Sequence, residues 1–254
     1  MTCERLLPWR NTWWWPRWKV PSFLMLHSVG EAVADPCCAN NTIRPGELRD
    51  LVLALKDEGY AFRTFHDACA AGDRRTMCLT FDDGYADNFT ALFPVLKELG
   101  VPATCFVTNR GDPGFPRERW SDEEPVPAGA AFLTAEMLRE MDASGLVEIG
   151  GHTAGHVTLT KIPVEAAKRE IEDNKRWIES VLGHGIVSFA YPRGGESDDV
   201  VALVRAAGYR YAAAMKKKMR PVAVDPYRIH RQIIPRGMDT WKSVLLATRG
   251  KWKI

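Results

Sequence analysis

Short apolar runs and helical stripes alternate along the chain. The runs SFLMLH (22–27), MCLTF (77–81), ATCFV (103–107), LVEIG (146–150), IVSFA (186–190), YRYAAA (209–214) and RIHRQII (228–234) are bounded by turn residues, which predicts strands. Between most of them, apolar positions recur at helical spacing. Glu47 to Glu58 sets Leu48, Leu51, Val52 and Leu55 on one face; Asp87 to Leu99 is closed by Gly100; Thr134 to Ala143, Pro163 to Leu182 and Glu196 to Ala207 continue the series. A β-α series of about seven strands predicts an α/β fold with a parallel sheet, open or closed as a barrel. No repeat or linker divides the chain. The stretch 110–130, RGDPGFPRERWSDEEPVPAGA, has no period and is rich in Pro, Gly and charge, so it reads as an insertion loop after a strand.

Composition narrows the class. A chain of 254 residues, 46% hydrophobic and 26% charged, can bury a full core, and a formal net charge of +2 does not point to nucleic acid. The six cysteines (Cys3, Cys37, Cys38, Cys69, Cys78, Cys105) form no CxxC pair, which argues against a thiolate zinc site and fits a reducing compartment. The first 20 residues carry Arg5, Arg10, Arg17 and Lys19 but no apolar core of signal-peptide length, and no run approaches the roughly 18 apolar residues of a membrane span. The expectation is a cytoplasmic protein. Trp13, Trp14, Trp15 and Trp18 among these cations also suit a headgroup zone, so this segment is expected either to pack on the domain or to rest peripherally on a membrane.

Chemistry gathers where strands end, the usual location of active sites in parallel α/β folds. In LTFDDGYADN, Asp82 and Asp83 follow a strand; alternation points their carboxylates in different directions, although Asp-Asp-Gly is also ordinary turn and capping chemistry. In LVEIGGHTAGH, His152 and His156 stand four apart after a strand, a spacing that on a helical turn would place both imidazoles on one face and around one metal ion. Two histidines and a carboxylate leave a coordination position open, as catalysis requires. In IVSFAYPRGG, Tyr191, Pro192, Gly194 and Gly195 form a turn whose backbone N–H groups could stabilise an oxyanion or simply start the next helix.

LTFDDG, GGHTAGH and FAYPRGG, in this order, closely resemble the motifs of the polysaccharide deacetylase (NodB-homology) family, carbohydrate esterase family four, over about Ser22 to Ile234. The resemblance implies a distorted (β/α) barrel in residues 21–254 and hydrolysis of N-acetyl groups on a sugar or glycan by a metal-activated water. It implies Asp83, His152 and His156 as ligands of a divalent metal, zinc first and Co, Mn, Fe or Ni as alternatives. Asp82 would be the general base and the Tyr191 N–H the oxyanion donor. No late LxxH-like motif supplies the acid that the leaving amine needs. LMLHSVGE instead resembles the first strand of a circularly permuted subgroup, which makes His27 the expected acid and His230 the second candidate. Ala190 replaces the usual motif arginine. Arg231 is expected to contact the base in its stead, oriented by Asp225, and Arg193 to reach a substrate carboxylate or phosphate. The resemblance leaves two rivals: an amidase for small non-sugar substrates, and a silent glycan-binding domain of the same fold. His66 and His184 belong to no motif.

Overall fold

The computed structural model describes residues 21–31, 42–121, 123, 130–215, 222 and 224–249; the Trp-rich segment 1–20 and Cys3, Cys37 and Cys38 lie outside them. In chain order the elements are β1 (Ser22–Leu26), β2 (Ser28–Val29), β3 (Thr42–Ile43), α1 (Pro45–Asp57), β4 (Ala61–Phe62), α2 (Phe65–Ala71), β5 (Thr76–Phe81), α3 (Phe93–Leu99), β6 (Ala103–Val107), α4 (Ala135–Ala143), β7 (Val147–Gly151), α5 (Val164–Leu182), β8 (Ser188–Ala190), α6 (Asp198–Ala206), β9 (Tyr211–Ala214), β10 (Ile229–His230), β11 (Gln232–Ile233) and α7 (Thr240–Arg249). All strand pairs are parallel, in the order β10-β9-β8-β7-β6-β5-β1-β11, with β4 added beside β5.

The sheet returns on itself. β10 pairs with β9 (Ile229 with Ala213) and β11 pairs with β1 (Leu24 with Gln232), so one extended segment, interrupted only at Arg231, joins the two edges. This is the expected (β/α) barrel, with its seven main positions at the predicted runs. Alternation along the strands sorts side chains into two environments. Phe23, Cys78, Phe106, Ala190, Ala213 and Ile229 pack together inside the barrel, while Leu24, Leu26, Leu79, Cys105, Ile149 and Phe189 join the larger layer shared with the helices.

Local chemistry sets the helix limits. Thr134 caps α4 by accepting the Met137 N–H, Ser197 caps α6 by accepting the Val200 N–H, and Gly183 ends α5 at φ 79°. The predicted helix 87–99 opens instead as a π-helical turn, Asn88–Leu92, because Pro94 has no N–H to give and its ring crowds the preceding turn. Helices α2 and α7 were not expected from the sequence. Seven residues are too few for a visible period in α2, yet this helix plugs the base of the barrel. Fully buried Phe65 stacks edge-on against Phe23 (5.2 Å) and Phe106 (5.3 Å), and its N–H donates to Thr104 Oγ1 at 2.7 Å. Beside it Glu148 accepts from the His66 N–H, Thr104 and Ser188, which ties α2 to three strands.

Removing the plug side chain opens a cavity that the strands cannot collapse into. Phe65→Ala is expected to cost about 3–5 kcal/mol, read as a lower urea midpoint with an unchanged slope.

Candidate active site

Asp82 continues the inward column of β5 after Cys78 and Thr80, and its N–H donates to Leu26 O at 2.9 Å. That bond sets it beside His27 at the end of β1. Across the barrel closure, Arg231 donates Nη1 to Asp82 Oδ1 and Nη2 to Oδ2, both at 2.6 Å, and Nη1 also to Thr80 Oγ1 at 2.9 Å. Both partners are buried, and the guanidinium lies over the Phe106 ring. Burial by itself raises the Asp82 carboxyl; Arg231, with His152 and His27, outweighs it and holds the carboxyl below the usual range. Asp82 is therefore ionised at neutral pH.

Asp83 turns the other way because its backbone does, at φ 72° followed by Gly84 at φ 74°. Thr108 Oγ1 donates to its carbonyl at 3.3 Å, and the Leu133 N–H to that of Gly84 at 2.8 Å, which hold this turn. The carboxylate faces two imidazoles: Oδ1 lies 3.3 Å from His152 Nε2 and 3.1 Å from His156 Nε2, with all three groups buried. Ligands at zinc-like bond lengths of about 2.0–2.1 Å in a tetrahedral array lie about 3.3 Å apart, so this donor set fits a divalent cation. Asp83 Oδ1 is a buried atom without a hydrogen-bond partner among the described residues, as a ligand atom would be. Burial pushes the His156 imidazole down against the pull of Asp83, toward the neutral form that ligates. Burial also works to raise Asp83, but His156 and His152 hold it well below the carboxylate range.

The two histidines do not share a helical turn. Thr153 and His156 are non-glycine residues at φ 61°, so the segment from His152 bends back and presents the rings across a loop. Each part of the loop is clamped. His152 Nδ1 lies 2.7 Å from Ala190 O; a carbonyl only accepts, so the proton sits on Nδ1 and Nε2 turns its lone pair to Asp83. The His152 N–H donates to Asn174 Oδ1 at 2.8 Å, the Ala154 N–H to Glu170 O at 3.0 Å, and the Gly155 N–H to Glu170 Oε2 at 2.6 Å. Arg110 Nη2 and the Ser121 N–H both reach Gly155 O. A Cβ on Gly155 would stand 1.9 Å from Arg119 O, which is why glycine occupies that place. Asn174 is fully buried and uses both ends of its amide, donating Nδ2 to Val107 O and Asn109 Oδ1.

Glu170, Asn174 and Thr80 were missed at the sequence level. The signal was present: Glu170 and Asn174 sit one turn apart on the inner stripe of α5 with Ile171 and Ile178, and polar residues there need a partner. Three expectations are corrected. Asp225 does not orient Arg231; it pairs with Arg228, which also holds Glu196 and Asp198. The Tyr191 N–H is engaged with Ala213 O at 3.1 Å as the ladder to β9 runs on past Ala190, and the buried Tyr191 ring packs on Phe189, so Tyr191 is not a ready oxyanion donor. His230, the second acid candidate, lies one residue from Arg231 on the opposite side of the strand and has Nε2 3.0 Å from Gln232 Nε2. His27 remains. It is half-buried beside both aspartates, its carbonyl accepts from Asn88 Nδ2 at 2.9 Å, and its Nδ1 is buried without a hydrogen-bond partner among the described residues. Arg193, at φ 54°, pairs with Glu123 and donates to Thr158 Oγ1.

Two substitutions probe these contacts. Arg231→Met leaves Asp82 as a buried unpaired charge and is expected to cost about 3–5 kcal/mol by denaturant unfolding, most of it absent in the double variant with Asp82→Asn. Asn174→Ala is expected to weaken divalent-cation binding at Asp83, His152 and His156 by about 10–100-fold in a competition titration, with Asn174→Asp recovering the acceptor but not the two donors.

Comparison with known proteins agrees with this geometry. Among solved structures, the fold matches the Streptococcus pyogenes deacetylase PplD in complex with acetate at a TM-score of 0.75 and 24% identity, over 91% of this chain and 98% of that one. It matches IcaB from Ammonifex degensii at a TM-score of 0.71 and 23% identity, over 90% and 96%. In sequence, the chain is 25% identical over 171 residues to the poly-beta-1,6-N-acetyl-D-glucosamine N-deacetylase of Staphylococcus epidermidis, 63% of this chain and 55% of that protein. The enzyme of the same name from Escherichia coli K12 is 26% identical over 166 residues, 59% of this chain and 24% of its own length, so the chain spans only part of these relatives. The polysaccharide deacetylase family model matches residues 70–212, more than half of the chain, including all three strand-end motifs: the chain belongs to that family.

Proposed function

We propose that the protein is a metal-dependent N-deacetylase of an N-acetylated sugar or glycan in surface polysaccharide or lipid-linked glycan assembly. The observation that carries this reading is the division of labour between neighbours: Asp83 closes a three-ligand set with His152 and His156, while Asp82, held ionised by Arg231, stays outside it. The named activities of the Staphylococcus epidermidis and Escherichia coli relatives support it. A divalent ion held by Asp83, His152 and His156, zinc by the fit of the donor set, would supply Lewis-acid polarisation of the acyl oxygen and a lowered pKa for water.

The residues of the chain do the rest. Asp82 accepts the proton of the attacking water; a carboxylate has about four lone-pair sites, so its two bonds to Arg231 leave room for this. Arg231 fixes the carboxylate plane and keeps it charged. As the C–N bond breaks, the departing nitrogen needs a proton, and we assign this role to His27 at the neighbouring strand end, a reading that its unpartnered Nδ1 supports. Acetate and a free amine leave. A silent binding domain has no need for a complete acid, base and ligand set.

Two finer points belong to the same reading. The buried unpaired thiols Cys69, Cys78 and Cys105 fit a reducing, cytoplasmic setting. Among the described residues no helix is long and apolar enough to cross a membrane, and the cation- and Trp-rich composition of residues 1–20 supports a peripheral association, read by co-sedimentation with anionic vesicles.

Acetate release from N-acetylglucosamine and its β-1,6 oligomers is expected to stop with a chelator and return with added zinc. Asp82→Asn and His27→Ala are each expected to lower kcat by about 100- to 10 000-fold with metal content retained. Release indifferent to both the chelator and Asp82→Asn would falsify the mechanism.

A further inference from the structure

Outside the catalytic constellation, three donors converge on one carboxylate. Glu123 Oε2 accepts from the Thr158 hydroxyl and from Arg193 Nη1, and Oε1 lies 2.7 Å from Lys161 Nζ. Arg193 Nη1 also donates to Thr158 Oγ1 at 3.2 Å, so the hydroxyl is oriented by one cation while it donates to the anion. The anchors stand close to the metal ligands along the chain. Thr158 follows His156 by two residues, and Arg193 follows by three the Ala190 carbonyl that holds His152. Gly195 lets the two segments touch, since a Cβ there would lie 2.7 Å from Thr158 Cγ2. Glu123 is carried to this place by Ser121, whose N–H is fixed on Gly155 O and whose Oγ accepts the Glu123 N–H.

Chemically this arrangement suits an anion: a guanidinium, an ammonium and a hydroxyl all donate to one carboxylate. Arg193 is kept in the left-handed region, a conformation that a non-glycine residue holds only where its surroundings enforce it. The Lys161 and Thr158 contacts hold the Glu123 carboxyl down to about 2, so the occupant is an anion throughout the working range. Glu123 is also solvent-accessible, as are both cations. A solvent-accessible carboxylate of the chain's own, held by donors that follow His156 and Ala190 closely in the chain, is replaceable by a stronger anion. Phosphate carries nearly two charges and three acceptor oxygens, against one charge and two oxygens on Glu123.

We propose that Arg193, Lys161 and Thr158 form a subsite for an anionic group, phosphate or carboxylate, on an acidic N-acetylated sugar, and that Glu123 is its built-in competitor. This rests on the deacetylase reading and names the substrate class within it. A sugar 1-phosphate, or a sugar linked through diphosphate to a nucleotide or a lipid, places about two negative charges a few bonds from the acetamide, whereas a neutral oligomer has nothing to displace Glu123. Apparent affinity for the acidic sugar is then reduced by the fraction of molecules in which Glu123 holds the site.

Binding without turnover separates this subsite from the activity. Calorimetric titrations of the full chain use N-acetylglucosamine, N-acetylglucosamine 1-phosphate and N-acetylmuramic acid, the last two distinguishing a phosphate from a carboxylate source. The quantity read is the preference for acidic over neutral sugar. It is expected to rise about two- to five-fold in Glu123→Gln, the range of a single rim ion pair, to fall in Lys161→Ala and Arg193→Gln, and to shrink as salt is raised. A preference equal in the wild type, Glu123→Gln and Lys161→Ala overturns the subsite. Acetate release from the neutral sugar reports on the deacetylase reading separately, so the two fail independently.

Discussion

The ion pair between Asp82 and Arg231 is the contact on which the rest of the site depends. A buried carboxylate is expensive to keep charged, and its partner comes from the segment that closes the barrel, 149 residues away in the chain. The pair performs two tasks with one geometry. It gives the closing segment a fixed inward anchor at the point where β10 passes into β11, and it holds beside Asp83, His152 and His156 a carboxylate that is ionised at neutral pH and stays outside their cluster. Replacing it with apolar residues could leave the barrel intact, and would remove the ionised carboxylate that Arg231 holds beside Asp83.

The ligand loop shows the complementary solution. Where Asp82 is fixed by charge, His152 and His156 are fixed by backbone hydrogen bonds from α5 and from the 109–121 segment. All four non-glycine residues with positive φ among the described residues, Asp83, Thr153, His156 and Arg193, lie at this end of the barrel. Strain held in this way marks a region whose conformation is set by its surroundings rather than by local preference. Asn174 and Glu170 supply part of those surroundings: one turn of one helix accepts from the backbone N–H groups of His152, Ala154 and Gly155.

Much of this was readable before the coordinates. The apolar runs mark the seven barrel positions, and Asp82 and Asp83 do point apart as neighbours at a strand end, although through the left-handed backbone at Asp83 and not through alternation. What failed depended on contacts between distant segments. The i, i+4 spacing of His152 and His156 suggested a helical turn, and nothing nearby announces that Thr153 and His156 adopt left-handed backbone, since neither is glycine or asparagine. The Tyr191 N–H looked available because its acceptor, Ala213, belongs to another strand. Asp225 lay near Arg231 in sequence, but Arg228 is the cation it meets. The α2 plug was too short to show a period, and its weight comes from Phe65 fitting between Phe23 and Phe106, a packing fact that spacing does not encode.

The closure of the barrel also sets an order in time. β1 is made first but lies between β5 and β11, with Leu24 facing both Leu79 and Gln232, so one of its edges waits until nearly the whole chain exists. A chain emerging from synthesis can stack β5 through β9 progressively, but it carries an open seam beside β1 and an unneutralised Asp82 until Arg231 arrives. Such late, long-range pairing slows folding and exposes a strand edge meanwhile. The same arrangement leaves Asp82 without its cation in any chain that stops short of Arg231, so that closing the barrel and fixing this buried carboxylate become a single event.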